Sequence, residues 1–311
     1  MKPVPVSALP RVEDRCSFVY LERCVVHCED YALTAQDADG IVHIPAASLL
    51  AILFGPGVRV THKAMALLGD CGASAAWVGE EGVRFYASGR PLSTNTALLE
   101  QQARRVVNRS ARLAVARKMY AMRFPGESID DLTMQQLRGR EGVRVRQLYR
   151  EVAERYGVEW RGRSYDVDNF EDGDPINQAL SAGAAALYGV CHAVIAALGC
   201  SPGLGFIHTG HSRAFVYDIA DLYKAEISIS AAFEIVAAGE DDDPAGAVRR
   251  RVRDNIRTSR LIPRIVKDIV WLLGGEEAYG TTETNVVSLW DYQRDSVPAG
   301  VNYAEDVAGE W

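Results

Sequence analysis

The stretch LGFIHTGHSRAFVYDIADLYK, residues 204–224, concentrates polar chemistry in one short and otherwise apolar segment. It contains His208, His211, Asp218 and Asp221. Its second half predicts a helix on which Asp218 and Asp221 lie about one turn apart on the same face. Two carboxylates placed there repel each other unless a cation lies between them, and carboxylate with imidazole is a ligand set for Mn²⁺ or Mg²⁺. The alternative is that the aspartates cap a helix or face solvent, and that the histidine fills a gap in the core.

The rest of the chain has the composition of a soluble globular protein, with 48% hydrophobic and 24% charged residues among 311. This length accommodates one large domain or two ordinary ones. The formal charge of −7 originates in residues 276–311, which hold eight carboxylates against one arginine. The remaining body is neutral overall, so its clustered arginines are still able to bind a phosphate backbone.

Cysteine usage and hydropathy predict a cytoplasmic protein. The six cysteines form no CxxC pair and lie mostly in apolar surroundings, which is typical of reduced thiols. Cys24 and Cys28 are separated in part by two valines, which favours a strand over a zinc site. The N-terminal segment MKPVPVSALPRVEDR lacks the apolar core of a signal peptide. Residues 176–200 approach the length of a membrane span but include four polar residues, so we expect a buried central helix and no membrane partner.

The periodicity of the sequence changes near Thr96. Residues 16–90 alternate short β-like runs with turn signals, including a hairpin around Gly79–Gly82 and one short helix that Thr61 caps. From Thr96 a long amphipathic helix, with one positively charged face, is closed by Pro125–Gly126. Further helices are predicted over 131–156, 176–200, 216–238 and 245–273. We therefore expect an α+β protein with a small, mainly β N-terminal domain at 1–90, a larger all-α catalytic domain at 91–275 and an acidic, flexible tail at 276–311.

Residues 138–163, RGREGVRVRQLYREVAERYGVEWRGR, contain eight arginines and four glutamates. Arginine favours bidentate contact with phosphate, although a solvated helix with internal ion pairs explains part of the pattern. Glu141 does not fit that explanation, because it lies two residues after Gly139 at a predicted helix start and is surrounded by arginines. An acid in that position is expected to hold a metal that also touches the phosphate.

These segments resemble one known family. QLRGREGVRVRQLY around Glu141, INQALSAGAAALYGV, GFIHTG around His208, and SRAFVYDIADLYK are similar to the CRISPR-associated integrase of the spacer-adaptation module, in its type I-E form. Two N-terminal segments, HIPAASLLAILFGPGVRVTHKAM and AAWVGEEGVRFYASG, resemble the same family, and the similarity runs in order from about residue 10 to residue 265. The resemblance implies an N-terminal β domain that dimerises and a helical domain with a divalent-metal site. The implied metal ligands are Glu141, His208 and Asp221, with Asp218 either orienting them or binding a second metal.

The resemblance also implies a reaction and its partners. Proteins of this family insert short spacer duplexes into the CRISPR repeat array by attack of a 3′-hydroxyl on a phosphodiester, and many also cleave DNA as metal-dependent endonucleases. They work as two homodimers bridged by a small second CRISPR-associated protein, with Mg²⁺ or Mn²⁺ as cofactor and double-stranded DNA as substrate. Residues implied to contact DNA are Arg59, Arg84, Arg138, Arg146, Arg163, Tyr165, Tyr188 and His211, the last as a phosphate contact or general acid.

Two other functions are compatible with the same residues. A stand-alone metal-dependent repair nuclease would share the site but give only cut fragments. A DNA-binding scaffold without catalysis would need the arginines alone, and its carboxylates would serve as helix caps.

Overall fold

The N-terminal region of the chain is built from two small β-sheets. The computed structural model describes residues 17–30, 32–79, 85–89, 96–127, 129, 132–163, 174–239, 243–274, 288–291 and 295–298. The elements of the first region are β1 (Ser17–Leu21), β2 (Val25–Glu29), β3 (Ala32–Gln36), β4 (Ile41–Ile44), β5 (Leu49–Phe54), β6 (Arg59–Val60), α1 (His62–Asp70), β7 (Ser74–Val78) and β8 (Phe85–Gly89). One sheet has the order β1-β5-β7-β8 and the other β4-β3-β2-β6.

Several local predictions for this region are confirmed. β7 and β8 pair antiparallel, as the predicted hairpin requires, although its turn at 80–84 lies outside the described residues. Thr61 caps α1, since its side-chain oxygen accepts a hydrogen bond from the Ala64 N–H at 3.3 Å. Cys24 directly precedes β2 and Cys28 lies within it, in agreement with the strand interpretation.

The second region is helical, so the predicted α+β class is confirmed. Its elements are α2 (Ala97–Val107), α3 (Arg109–Arg123), α4 (Met134–Tyr156), α5 (Pro175–Ala197), α6 (Ala214–Ala220), a π-helical segment (Ala225–Ile229), α7 (Ser230–Ala238), α8 (Pro244–Thr258) and α9 (Leu261–Leu273). β9 (Ser288–Asp291) and β10 (Asp295–Pro298) then form an antiparallel pair within the acidic tail. The domain limits and the flexibility of that tail stay predictions, because residues 90–95 and 275–287 lie outside the described ranges.

Three predicted helices are shorter than expected. The single helix from Thr96 is wrong, because Asn108 adopts an extended conformation and its side chain accepts a hydrogen bond from the Ala111 N–H, which starts α3. The predicted 245–273 helix is interrupted at Arg260, whose φ is 50°. The 216–238 helix is likewise divided into α6, the π-helical segment and α7. The helical spacing of apolar residues continues across these breaks, so this spacing alone does not predict where the helices are interrupted.

The core is organised around α5, as predicted for residues 176–200. Within the described residues, α5 is the one helix long and apolar enough to cross a membrane, and 83% of its most apolar window is buried. Gly189 allows α5 to approach the first sheet, since an added Cβ would lie 3.1 Å from the Leu53 side chain. α5 also packs against α6, α7, α8 and α9. It therefore supports both α6 and the preceding loop, which carry the candidate site.

Candidate active site

Asp218 fastens the loop that carries His208. Asp218 is buried on α6, and its carboxylate accepts hydrogen bonds from the backbone N–H groups of Phe206 at 2.5 Å, Ile207 at 3.1 Å and His208 at 2.9 Å. Its Oδ1 also lies 2.8 Å from Nδ1 of the His208 ring. Because an ionised carboxylate only accepts, Nδ1 is the donor and Nε2 of the neutral ring keeps its lone pair. Asp218 thus orients the imidazole in the way that a carboxylate orients a metal-binding histidine.

Two side chains from α2 and α3 hold the same loop from behind. The buried Gln102 donates to the carbonyl oxygens of Ser201 and Leu204, both at 2.9 Å, and accepts from the Ser201 N–H at 2.8 Å. Arg112 donates to the carbonyl oxygens of two further loop residues, both at 3.0 Å. The loop has no regular secondary structure to satisfy these polar groups, so the two helices supply the partners.

Glu141 and Asp221 converge on the guanidinium of Arg123. Arg123 ends α3, Glu141 lies on α4, and Asp221 is the C-cap of α6. Nη1 of Arg123 forms a short ion pair with Oε1 of Glu141 and lies 4.0 Å from Oδ2 of Asp221. The Tyr120 hydroxyl donates to the second oxygen of Glu141 at 2.8 Å, and Lys224 Nζ lies 2.6 Å from the second oxygen of Asp221. Each carboxylate oxygen therefore faces a cationic or hydrogen-bonding group. Glu141 lies in the interior of α4, so its predicted place at a helix start is wrong.

The charged groups near His208 affect the pKa of its imidazole. The hydrogen bond to Asp218 raises the pKa of His208 above 6.5, burial opposes that rise, and the charges of Asp218 and Asp221 add to it. An aromatic chain connects the groups: the His208 and Tyr217 rings lie 5.7 Å apart, the Tyr217 and Tyr188 rings 5.1 Å apart, and Lys224 Nζ lies 4.8 Å above the Tyr188 ring. His208, Asp221 and Glu141 thus belong to one connected network.

Two further groups of the network have raised pKa values. Burial, followed by the hydrogen bond to Glu141, raises the pKa of Tyr120, which keeps its hydroxyl a donor. Burial is the largest single influence on the pKa of Lys224 and lowers it, but the charges of Asp221 and Tyr188 and the hydrogen bonds to both together outweigh burial, so the pKa is raised. Lys224 is therefore a cation at neutral pH.

An open pocket of about 930 Å³ lies over the cluster. Arg123, Glu141, Asp221 and Lys224 line it together with Arg144 and other residues of α4. Guanidinium and ammonium groups beside partly buried carboxylates suit a ligand that combines phosphate with a divalent cation.

The donor set fits a divalent cation, although its members are now paired with other groups. Within the described ranges, no three His, Cys, Asp or Glu side chains converge as a metal-ligand cluster. Two carboxylates and an imidazole whose Nε2 keeps its lone pair are donors that Mn²⁺ and Mg²⁺ accept in proteins. In this structure a guanidinium lies between the two carboxylates, where a bridging cation is expected.

Of the residues expected to contact DNA, some are exposed, one is hydrogen-bonded to the start of α5 and two lie outside the described residues. Arg59 on β6 and Arg138 and Arg146 on α4 are exposed. Arg163 donates to the Asn177 carbonyl and side-chain oxygens and to the Ser181 hydroxyl, at 2.8–2.9 Å, and so holds the start of α5. His211 is exposed, with Nδ1 accepting from the Arg213 N–H at 3.0 Å, and Tyr188 is half-buried. Arg84 and Tyr165 lie outside the described residues.

Sequence reasoning missed the cations and hydrogen-bond donors that organise the site. Arg112 and Arg123 belong to a helix face that was expected to be a uniform positive surface, yet both turn inward. No sequence signal separates them from exposed neighbours such as Arg109. Lys224 has one detectable signal, its spacing of three from Asp221, which is compatible with an ion pair at a helix end.

The comparisons with known proteins agree with this architecture. The family model described as CRISPR associated protein Cas1 matches residues 18–126 and 126–245. A relative from Clostridium sp. (strain SY8519), named CRISPR-associated endonuclease Cas1, is 50% identical over 301 residues, which cover 96% of this chain and 99% of the relative. A second relative, CRISPR-associated endonuclease Cas1 2 of Thermus thermophilus, is 42% identical over 98% of this chain and 95% of its own. A solved structure described as a TtCas1-DNA complex superposes with a TM-score of 0.81 at 43% identity, over 92% of this chain and 100% of that one. By sequence and by fold, this chain belongs to the Cas1 family of CRISPR associated proteins.

Proposed function

We propose that this chain is the integrase of CRISPR adaptation, a metal-dependent DNA endonuclease and strand transferase that inserts spacer DNA into the repeat array. The observation that carries the proposal is the convergence of Glu141 and Asp221, from separate helices, on one cation at the wall of an arginine-lined pocket. The names of the relatives, CRISPR-associated endonucleases, and the DNA in the complex of a close structural neighbour support it.

The proposed reaction exchanges one phosphodiester for another. The 3′-oxygen of the incoming strand bonds to a phosphorus of the repeat, the bond to the leaving 3′-oxygen breaks, and the proton of the attacking hydroxyl is released while the leaving oxygen gains one. With water in place of the 3′-hydroxyl, the same displacement is endonuclease cleavage. Either step develops negative charge on the phosphoryl oxygens.

The residues of this chain divide the work. Glu141, Asp221 and Nε2 of His208 would hold Mg²⁺ or Mn²⁺, which supplies Lewis-acid stabilisation of the phosphoryl oxygens and activates the attacking oxygen. Asp218 fixes the tautomer and direction of His208, which favours its orienting role over a second metal site because its oxygens are already occupied. The Tyr120 hydroxyl holds Glu141 by one oxygen. Lys224 and His211 would neutralise or protonate phosphate oxygens at the edge of the site.

The remaining partners belong to the same proposal. The chain would act as a homodimer in the cytoplasm, with a small second CRISPR-associated protein bridging two dimers, and its sequence motifs favour the type I-E form. Double-stranded spacer precursor and CRISPR repeat would be bound through their backbones. The exposed Arg59, Arg138 and Arg146 are the described candidates for this contact, and binding should weaken with salt.

An integration assay tests the proposal. The protein, its small partner, a short duplex with free 3′-hydroxyls and a supercoiled repeat plasmid are combined with Mn²⁺, with Mg²⁺ or with a chelator. We expect joined, relaxed plasmid only with a divalent metal, and a loss of at least about hundredfold in Glu141→Gln. Glu127→Gln is the matched control, because Glu127 lines the same pocket but pairs with Arg144. Cut fragments without joined product would indicate the repair nuclease, and equal activity of Glu141→Gln would refute the site.

A further inference from the structure

Arg123 is the most enclosed cation of the candidate metal site. Its side chain is 10% exposed, less than the carboxylates of Glu141 at 20% and Asp221 at 15% that it lies between. Its guanidinium carbon lies 5.5 Å from the Phe124 ring centre and 6.0 Å from that of Tyr120. An arginine held there by two carboxylates and two rings is part of the site rather than of the DNA-binding surface.

The charges of the cluster are balanced without a metal. Glu141 and Asp221 supply two negative charges, and Arg123 and Lys224 supply two positive ones. A divalent cation entering beside all four groups would meet two fixed positive charges within a partly buried volume, which opposes its binding. One of the cations must therefore move away from the carboxylates.

The geometry distinguishes Arg123 from Lys224 in this respect. Lys224 contacts one oxygen of Asp221 and lies over the Tyr188 ring, to the side of the carboxylate pair. Arg123 contacts Glu141 and faces the other oxygen of Asp221, so it lies between the two carboxylates that would hold the metal. It also lines the open pocket, which gives the side chain room to turn toward a bound phosphate.

We propose that Arg123 competes with a divalent metal for Glu141 and Asp221, and that its guanidinium leaves these carboxylates when the metal binds. This inference rests on the proposed metal site. Arg123 neutralises two partly buried carboxylates through these contacts. Arg123 and Mn²⁺ therefore compete for the same carboxylates. The affinity of these carboxylates for Mn²⁺ is reduced by the free energy needed to break the arginine contacts.

Mn²⁺ binding to the full chain, measured by the loss of the free Mn²⁺ signal in electron paramagnetic resonance, tests this competition. We expect the Mn²⁺ Kd of Arg123→Gln to be at least about tenfold lower than that of the wild type, equivalent to about 1.4 kcal/mol. Arg144→Gln is the matched control, since it removes the same charge from the same pocket but from a side chain that pairs with Glu127. Its Kd should stay within about threefold of the wild type. Arg123→Lys keeps the positive charge but lacks the planar guanidinium group, so its Mn²⁺ Kd should lie between those of the wild type and Arg123→Gln. This variant preserves the test if Arg123→Gln does not fold.

The outcomes separate the inference from the proposed function. Unchanged or weaker Mn²⁺ binding in Arg123→Gln, or in Arg123→Lys should that variant alone fold, would overturn the competition. Equal tightening in Arg144→Gln would also overturn it, because the effect would then be one of net charge. If Mn²⁺ binding in the wild type is the same as in Glu141→Gln, the metal site itself is wrong. Glu141-dependent binding that Arg123→Gln does not tighten leaves the proposed function standing and refutes the inference alone.

Discussion

Replacing Asp218 by asparagine should detach the loop that carries His208. The substitution keeps the size of the side chain but removes its charge and turns one acceptor oxygen into a donor. In the native protein four donors point at this carboxylate, two on each oxygen. At least two of them would face an amide nitrogen in Asp218→Asn, and two N–H groups directed at each other cannot both be satisfied.

The expected loss of stability follows from those contacts. A hydrogen bond to a charged acceptor contributes about 1.5–3 kcal/mol, so losing two of them costs about 3–6 kcal/mol. Since Asp218 is 1% exposed, water cannot replace the lost partners without opening the loop. For a chain of this size, 3 kcal/mol corresponds to a fall in Tm of about 5 °C.

Two measurements check this prediction on the metal-free protein. Thermal unfolding of Asp218→Asn is compared with that of Asp254→Asn, in which an exposed aspartate paired with its neighbour Arg253 undergoes the same change and should lose less than about 0.5 kcal/mol. The His208 imidazole is titrated by NMR, and its pKa should fall, because the hydrogen bond to Asp218 is the largest cause of its rise. A Tm equal to that of the control, or an unchanged pKa of His208, would refute the assigned role of Asp218.

Three further perturbations test the surroundings of the site. Arg112→Ala removes two hydrogen bonds to loop carbonyl groups and should cost about 1–3 kcal/mol and most of the integration activity, whereas Arg109→Ala on the exposed face of the same helix should change neither. Burial, and then the charge of Arg213, lowers the pKa of His192 to about 4. The unfolded chain therefore binds a proton first, so stability should fall by about 3 kcal/mol as pH decreases from 6.5 toward 4, and His192→Gln should flatten that part of the urea-unfolding profile. Gly205→Ala places a Cβ 2.5 Å from the His208 carbonyl oxygen and should destabilise the protein, by about 1–3 kcal/mol or more in thermal unfolding, while Gly139→Ala meets no atom within 4 Å and should be neutral or slightly stabilising.

The parts of the fold that depend on local chemistry could be predicted from the sequence. Thr61 caps a helix because its own hydroxyl reaches a backbone N–H three residues away, and α5 is buried because nearly every side chain on it is apolar. The break at Asn108 could not be predicted in the same way. The apolar period runs through it, and whether Asn108 caps a new helix or continues the old one depends on what the two helices pack against.

The same limit applies to the arginines. Arg109 and Arg112 lie three residues apart in one helix and have similar neighbours in the sequence, yet one faces solvent and the other holds the His208 loop. One of its partners in the loop, Gly205, lies 93 residues later in the chain. The hydrophobic and charge pattern of one helix contains no information about a hydrogen-bond partner that lies so far away in the sequence.

Asp218 and Asp221 were expected to share one cation because a continuous helix would place them on one face. The structure gives them different partners, since Asp221, the C-cap of α6, faces Arg123 and Lys224. Asp218 lies within α6 and faces the loop that precedes this helix, where its carboxylate accepts hydrogen bonds from backbone N–H groups. The two acids therefore do different work: one fixes the direction of a neutral imidazole, and the other faces the pocket with its charge balanced by movable cations. Asp221 keeps right-handed helical dihedrals and its N–H donates to the Tyr217 carbonyl at 2.9 Å, so the helical geometry continues through residue 221. The two carboxylates therefore differ because of the groups that face them and not because of a break in the helix.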